Sequence, residues 1–227
     1  MTKKALIIPA AGSGRRMQKE TPKPYLKIGG VSILEQTLRP FVLLSGLRQV
    51  VVATSDEYLG VAQQILESIF PEKVETCVIS GGEERQHSIY NALQELTSVD
   101  LVLVHDAVRP FVAKQHIEEC CRVADQFGAA VLGVPAKDTI KRVDDQQFVQ
   151  ETPNRAFLWQ TQTPQIFRKE LLEEAYEDAI RHDFIGTDDA SLVERLGKPV
   201  KMVKGSQSNF KITYPMDLEL AKLRINN

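Results

Sequence analysis

The sequence predicts a doubly wound α/β domain: a mainly parallel sheet with helices on both faces and a β-hairpin arm projecting from it. Three observations predict it. Short apolar runs rich in Val and Ile alternate with amphipathic stretches along most of the chain, the pattern of buried parallel strands joined by crossover helices. That alternation breaks once, over residues 135–163. With 227 residues, 43% of them hydrophobic and 26% charged, the chain suffices for one large domain, so residues 1–227 are read as a single unit.

Residues 5–8, 50–53, 74–79, 101–104 and 129–134 are the runs with buried-strand character. Ser32-Ile33-Leu34-Glu35 has the Ser-x-x-Glu spacing of a capping box, in which side chains satisfy amides that a helix start leaves unpaired. It opens a helix to about Leu44, and helices over 57–69, 86–96 and 114–127 follow. Strand-like segments at 138–143 and 148–151 flank the polar Asp144-Asp145-Gln146-Gln147 stretch, which predicts a hairpin. Residues 136–163 are read as an arm, because Phe157, Leu158 and Trp159 need burial somewhere. The alternative is a local antiparallel extension of the same sheet. Helices over 168–182 and 188–196, a strand over 200–203 and a last helix from Pro215 complete the domain.

A net charge of −2 removes the case for a nucleic-acid binder, which needs a pervasive excess of Lys and Arg to displace counterions. No apolar run approaches the roughly 20 residues of a membrane span, and the opening Met-Thr-Lys-Lys leads into no cleavage-site pattern. A cytoplasmic protein without membrane attachment is expected. Of the three cysteines, Cys120 and Cys121 are adjacent in a helical segment; the set makes neither a disulfide framework nor spaced zinc ligands. They read as reduced packing thiols.

In a doubly wound sheet the ligand crevice lies beyond the carboxyl ends of the strands, so the segments after the strands carry the functional reading. After the first strand come Pro9-Ala10-Ala11-Gly12-Ser13-Gly14-Arg15-Arg16-Met17 and Thr21-Pro22-Lys23-Pro24-Tyr25-Leu26. Small residues at Ala10, Ala11, Gly12 and Gly14 let backbone amides approach a phosphate chain, and Arg16 and Lys23 supply the positive charge a triphosphate demands. The stretch lacks the third glycine of a dinucleotide fingerprint and the Gly-Lys-Ser/Thr of a P-loop. Its bland reading is a strand-to-helix turn with solvated basic residues. The fourth strand ends in His105-Asp106-Ala107-Val108-Arg109-Pro110. There Asp106 either holds Mg²⁺ or its waters beside phosphate oxygens, or satisfies turn amides and pairs with Arg109. His105, with no partner carboxylate or Cys, reads as a packing or hydrogen-bonding residue. Gly81-Gly82-Glu83-Glu84-Arg85-Gln86-His87-Ser88 either presents backbone groups to a base edge or is a flexible turn. Asn209-Phe210-Lys211-Ile212-Thr213 alternates like a strand, with Lys211 directed at the site or into water.

From Ala5 to Leu223, in order, these stretches resemble the 2-C-methyl-D-erythritol 4-phosphate cytidylyltransferase family. Besides the segments above, the carriers are Lys-Asp-Thr-Ile-Lys-Arg at 137–142, Trp-Gln-Thr-Gln-Thr-Pro-Gln at 159–165 and Thr-Asp-Asp-Ala-Ser at 187–191. The resemblance implies a Rossmann-like nucleotidyltransferase that moves the cytidylyl group of CTP onto a polyol phosphate in non-mevalonate isoprenoid synthesis. It implies that Arg16, Lys23 and Lys211 grip the triphosphate, that Ala10, Ala11, Gly12, Gly14 and Asp106 help bind the nucleotide, and that Gly82, Glu83 and Ser88 surround the cytosine and its sugar. It implies that Asp106, Arg109, Thr139, Arg155 and Thr163 meet the polyol phosphate, with Thr139 and Arg155 on an arm from the second subunit of a homodimer. Mg²⁺ or a similar divalent ion is the implied cofactor, held by Asp106 or by the CTP phosphates. Two positions depart from the family pattern: Pro24 stands where Gln is frequent, and Asn154 where an acidic residue commonly precedes the Arg. Ribitol 5-phosphate cytidylyltransferase shares nearly all these motifs. A catalytically silent nucleotide-binding regulator is the alternative of another class; loss of Lys23 or Lys211 would favour it, and both are present.

Overall fold

The computed structural model describes residues 1–12 and 21–225. Its strands and helices run in the order β1 (Lys4–Pro9), β2 (Lys27–Ile28), β3 (Val31–Ser32), α1 (Ile33–Leu38), β4 (Leu47–Thr54), α2 (Leu59–Ile69), β5 (Glu75–Ser80), α3 (Arg85–Gln94), β6 (Leu101–Val104), α4 (Lys114–Phe127), β7 (Ala129–Pro135), β8 (Arg142–Val143), β9 (Val149–Glu151), β10 (Trp159–Arg168), α5 (Lys169–Arg181), α6 (Asp189–Arg195), β11 (Lys201–Lys204) and α7 (Pro215–Ile225). Among the described residues the central sheet has seven strands in the order β11-β7-β10-β6-β1-β4-β5. All its neighbouring pairs are parallel except those of β10, which lies antiparallel between β6 and β7.

Period-two alternation along the strands divides the core. In β1, Leu6 and Ile8 face one layer with Leu34, Phe41, Leu66 and Ile117, while Ala5 and Ile7 face the other with Ile89, Leu93, Leu172 and Val193. Both faces of the sheet are therefore covered, and β1 reads as a continuous apolar run for that reason. Cys120 and Cys121 are buried free thiols, as expected of packing cysteines, and that burial pushes the Cys121 thiol up to about 12.

Three expectations need correction. The helix expected from Ser32 to about Leu44 stops at Leu38 and tightens into a 3₁₀ turn over Arg39–Phe41, where Pro40 lacks the amide an α-helix would use. It starts at Ser32 as expected, with Ser32 Oγ accepting the Glu35 amide at 3.1 Å, but only this half of the capping box forms, since the Glu35 carboxylate pairs with Arg39 at 2.8 Å. The segment at 209–213 forms no strand; it follows the sheet as an extended loop, tied by the Ile212 amide to the Val108 carbonyl at 2.9 Å. The third is β10, a ten-residue strand placed where arm and helix were expected to meet. Its sequence is polar because its partners are polar: the Gln165 side chain donates to Asp188 at 2.8 Å and accepts the Ala190 amide at 2.9 Å. Pro164, which has no amide, sits where the pairing register with β7 slips.

The hairpin forms as β8 and β9, shorter than expected, and the Asp144 carboxylate closes it by accepting the Gln146 and Phe148 amides. It stands away from the sheet with every residue from 138 to 152 exposed. Phe148 is 65% and Phe157 81% exposed.

Candidate active site

Pro9, Thr54, Ser80 and Val104 end adjacent parallel strands on one edge of the sheet, and expected site residues directly follow β1, β5 and β6. Ala10 extends the β1 ladder by donating its amide to the Ala53 carbonyl at 2.7 Å, and Gly81 does the same to Thr54 at 2.7 Å. Ala11 and Gly81 are thereby brought together: a methyl group added at Gly81 would lie 2.3 Å from Ala11 Cβ. In the next turn the Gly82 amide donates to Ser88 Oγ at 3.0 Å, and that hydroxyl donates to the Glu84 carbonyl at 3.2 Å. Glu83 is exposed beside them. Gly14 and Arg16 lie outside the described residues.

Asp106, buried at the end of β6, is the centre of charge. Lys211 Nζ lies 3.0 Å and Arg109 Nε 3.2 Å from Oδ2, while Arg85 Nε lies 3.4 Å from Oδ1. Burial alone would raise this carboxyl, but the Arg85, Lys211 and Arg109 cations outweigh it and hold the group far below the ordinary carboxylate range. The open question of Lys211 is thus answered: it points inward. Lys23, buried in the 3₁₀ turn over Lys23–Tyr25, donates to the Thr213 carbonyl at 3.3 Å, so two lysines from opposite ends of the chain meet at the loop after residue 209.

Behind Asp106 the frame is neutral and hydrogen-bonded. Thr163 Oγ1 accepts the Asp106 amide at 3.0 Å and lies 2.9 Å from His105 Nδ1, while His105 Nε2 lies 3.1 Å from the Arg109 carbonyl. Asn209, also buried, donates to the Thr163 carbonyl at 2.8 Å and accepts Arg109 Nη1 on its own carbonyl at 2.7 Å. The structure therefore joins Lys23, Lys211, Asp106, Arg109 and Thr163, and sets the Gly82–Ser88 turn next to them through Arg85. Thr139 and Arg155 stand apart on the exposed arm, where the Arg155 guanidinium donates to the Lys137 carbonyl at 2.9 Å.

Sequence reading missed Arg85, Asp189 and Asn209 as organisers of this site. Each lay inside a stretch singled out above, but their partners are up to 104 positions away, and no local spacing reports such pairs.

Comparison with known proteins bears on the same stretch of chain. A family model for 2-C-methyl-D-erythritol 4-phosphate cytidylyltransferase (IspD) matches residues 4–227. The enzyme of that name from Geobacillus thermodenitrificans is 44% identical over 216 residues, covering 95% of this chain and 94% of the relative. Its namesake from Caldanaerobacter subterraneus is 42% identical over 219 residues, covering 96% of both. Among solved structures, the 4-diphosphocytidyl-2C-methyl-D-erythritol synthase of Anaerococcus prevotii superposes with a TM-score of 0.88 at 31% identity, over 100% of this chain and 97% of that one. The 2-C-methyl-D-erythritol 4-phosphate cytidylyltransferase of Thermus thermophilus gives 0.79 at 34% identity, over 99% and 100%.

Proposed function

The chain belongs to the 2-C-methyl-D-erythritol 4-phosphate cytidylyltransferase family, and from that premise we infer that it joins CTP to 2-C-methyl-D-erythritol 4-phosphate, giving 4-diphosphocytidyl-2-C-methyl-D-erythritol and pyrophosphate. The observation that carries the reading is the gathering of Lys211, Arg109 and Arg85 on one buried carboxylate, beside Lys23, at the carboxyl edge of a parallel sheet.

A phosphate oxygen of the polyol attacks the α-phosphorus of CTP, the bond to the bridging oxygen breaks, and pyrophosphate leaves with its electron pair. The attacking group is already ionised, so the reaction needs alignment and charge rather than a base. Asp106 fits that requirement: a carboxylate held far below its ordinary range takes up protons poorly and serves to orient cations. Lys23 and Lys211, with Arg16 by resemblance, take the nucleotide phosphates; Gly82, Glu83 and Ser88 take the cytosine and its sugar. Arg109 and Asp106 form the polyol end, and Thr163 supports that end by holding the Asp106 amide.

Three cations already face Asp106, and among the described residues no group of three or more His, Cys, Asp or Glu side chains could hold a metal. That donor set fits a protein site for Mg²⁺ poorly, so we assign the ion to the phosphates of CTP, as part of the nucleotide substrate. The exposed Phe148 and Phe157 favour a homodimer in which the arm is covered by a second copy and brings Thr139 and Arg155 to the neighbouring site. No helix among the described residues is long and apolar enough to cross a membrane; a cytoplasmic location is part of this proposal.

The test is pyrophosphate release in the presence of Mg²⁺ with a panel of nucleotides and polyol phosphates. CTP with methylerythritol phosphate should be turned over far better than ATP, GTP or UTP. Faster turnover of ribitol 5-phosphate would replace the polyol, and absence of pyrophosphate release with every polyol phosphate in the panel would leave a silent nucleotide binder.

A further inference from the structure

Arg85 has no role in the reaction as described, yet it links the site carboxylate to the back of the fold. It opens α3, and its Nη1 and Nη2 grip Asp189 of α6 at 3.2 and 2.8 Å while its Nε faces Asp106. The Asp189 side chain is fully buried and accepts a further bond from the Tyr176 hydroxyl at 2.6 Å. A planar fork bound to a buried carboxylate through two nitrogens has one orientation available. Tyr176 is itself sealed in the core, packed with Leu172, Ile89 and Val193.

The charge arrangement gives this geometry a consequence. Arg85 is shared between two carboxylates: its Nη2 pairs with Asp189, and its Nε faces Oδ1 of Asp106. Oδ2 is left for Arg109 and Lys211. Rotation of the Asp106 carboxylate would break both of those contacts, and the fixed guanidinium on Oδ1 opposes the rotation.

We propose that Arg85, locked by Asp189 and Tyr176, is a positioning residue for cytidylyl transfer: it fixes the Asp106 carboxylate so that Oδ2 aims the Arg109 guanidinium at the polyol phosphate. The proposal rests on the assignment of Asp106 and Arg109 to the polyol end.

The test is a double-variant cycle on kcat/KM for methylerythritol phosphate at saturating CTP, using Arg85→Gln, Asp106→Asn and the pair. If Arg85 acts through Asp106, Arg85→Gln lowers kcat/KM about tenfold alone but less than about twofold in the Asp106→Asn background, because coupled residues are not additive. The CTP KM stays within about threefold in Arg85→Gln. Independent, multiplying effects, or a CTP KM that rises as much as the polyol effect, would overturn the positioning role and leave Arg85 as a fastener of the turn after β5. Asp106→Asn with unchanged polyol kinetics would instead remove the polyol assignment itself. Should Arg85→Gln not fold, Tyr176→Phe repeats the cycle: it removes one hydroxyl from the Asp189 cluster, keeps the ring, and should show the same dependence on Asp106 with a smaller effect.

Discussion

At His105 the two ring nitrogens face oxygens of different kinds, and that settles the tautomer. The Arg109 carbonyl can only accept, so Nε2 carries the proton; Nδ1 then accepts the Thr163 hydroxyl, which leaves Thr163 Oγ1 to accept the Asp106 amide. One neutral imidazole thus fixes a backbone amide and a carbonyl that bracket the turn after β6. Burial pushes its pKa down to about 4, whereas in the unfolded chain a His titrates near 6.5. Between those values the unfolded state binds more protons, so stability falls as pH falls through that window. Linkage puts the loss between pH 7 and pH 5 at about 2 kcal/mol. Urea unfolding at the two pH values should show this drop in the native sequence and a drop smaller by about that amount in His105→Gln. An equal drop in both would mean that other groups carry the acid sensitivity.

At the scale of elements, the turn from β5 into α3 is built by close approach. A side chain at Gly81 would meet Ala11 Cβ at 2.3 Å and Ser88 Oγ at 3.0 Å, so the turn and the loop after β1 touch only because residue 81 has no Cβ. Gly81→Ala must push the two apart, and overpacking of this kind costs about 1–3 kcal/mol. Both segments are assigned to CTP, so the variant should raise the CTP KM about tenfold or more while leaving the polyol KM within a factor of about three. Steady-state kinetics with each substrate varied in turn decides it; an unchanged CTP KM would mean that nucleotide binding does not need the turn and the loop in contact. The sequence announced α1 at its start through Ser32 and concealed β10, because a strand of Gln and Thr becomes favourable only when Asp188, the Ala190 amide and its neighbouring strands complete its hydrogen bonds.

For the whole molecule the unresolved balance is the arm. An arm with Phe148, Val149 and Phe157 turned to solvent does not bury what its sequence carries. Lys23 is in the body and Arg155 on the arm, so the proposed shared site predicts complementation between their variants. Lys23→Ala and Arg155→Ala homodimers should each be nearly inactive. In a mixed dimer with twofold symmetry one site collects both lesions and the other neither, so random exchange of equal amounts should restore about a quarter of wild-type activity. Exchange is confirmed with differently tagged chains; no recovery despite it would confine the site to one chain.

From the sequence alone follow the strand–helix alternation, the helix cap at Ser32, the hairpin, and the candidate groups Lys23, Asp106, Arg109 and Lys211. These are local properties: periodicity states which side of an element meets the core, and glycines and charges after a strand state what the loop can bind. Tertiary structure alone decided that Lys211 turns inward, that β10 runs antiparallel through the middle of the sheet, and that Arg85 joins Asp106 to an aspartate 104 residues farther along than itself. The physical reason is that an ion pair or a polar strand is stable only where burial supplies every partner at once, and those partners come together only when distant elements pack.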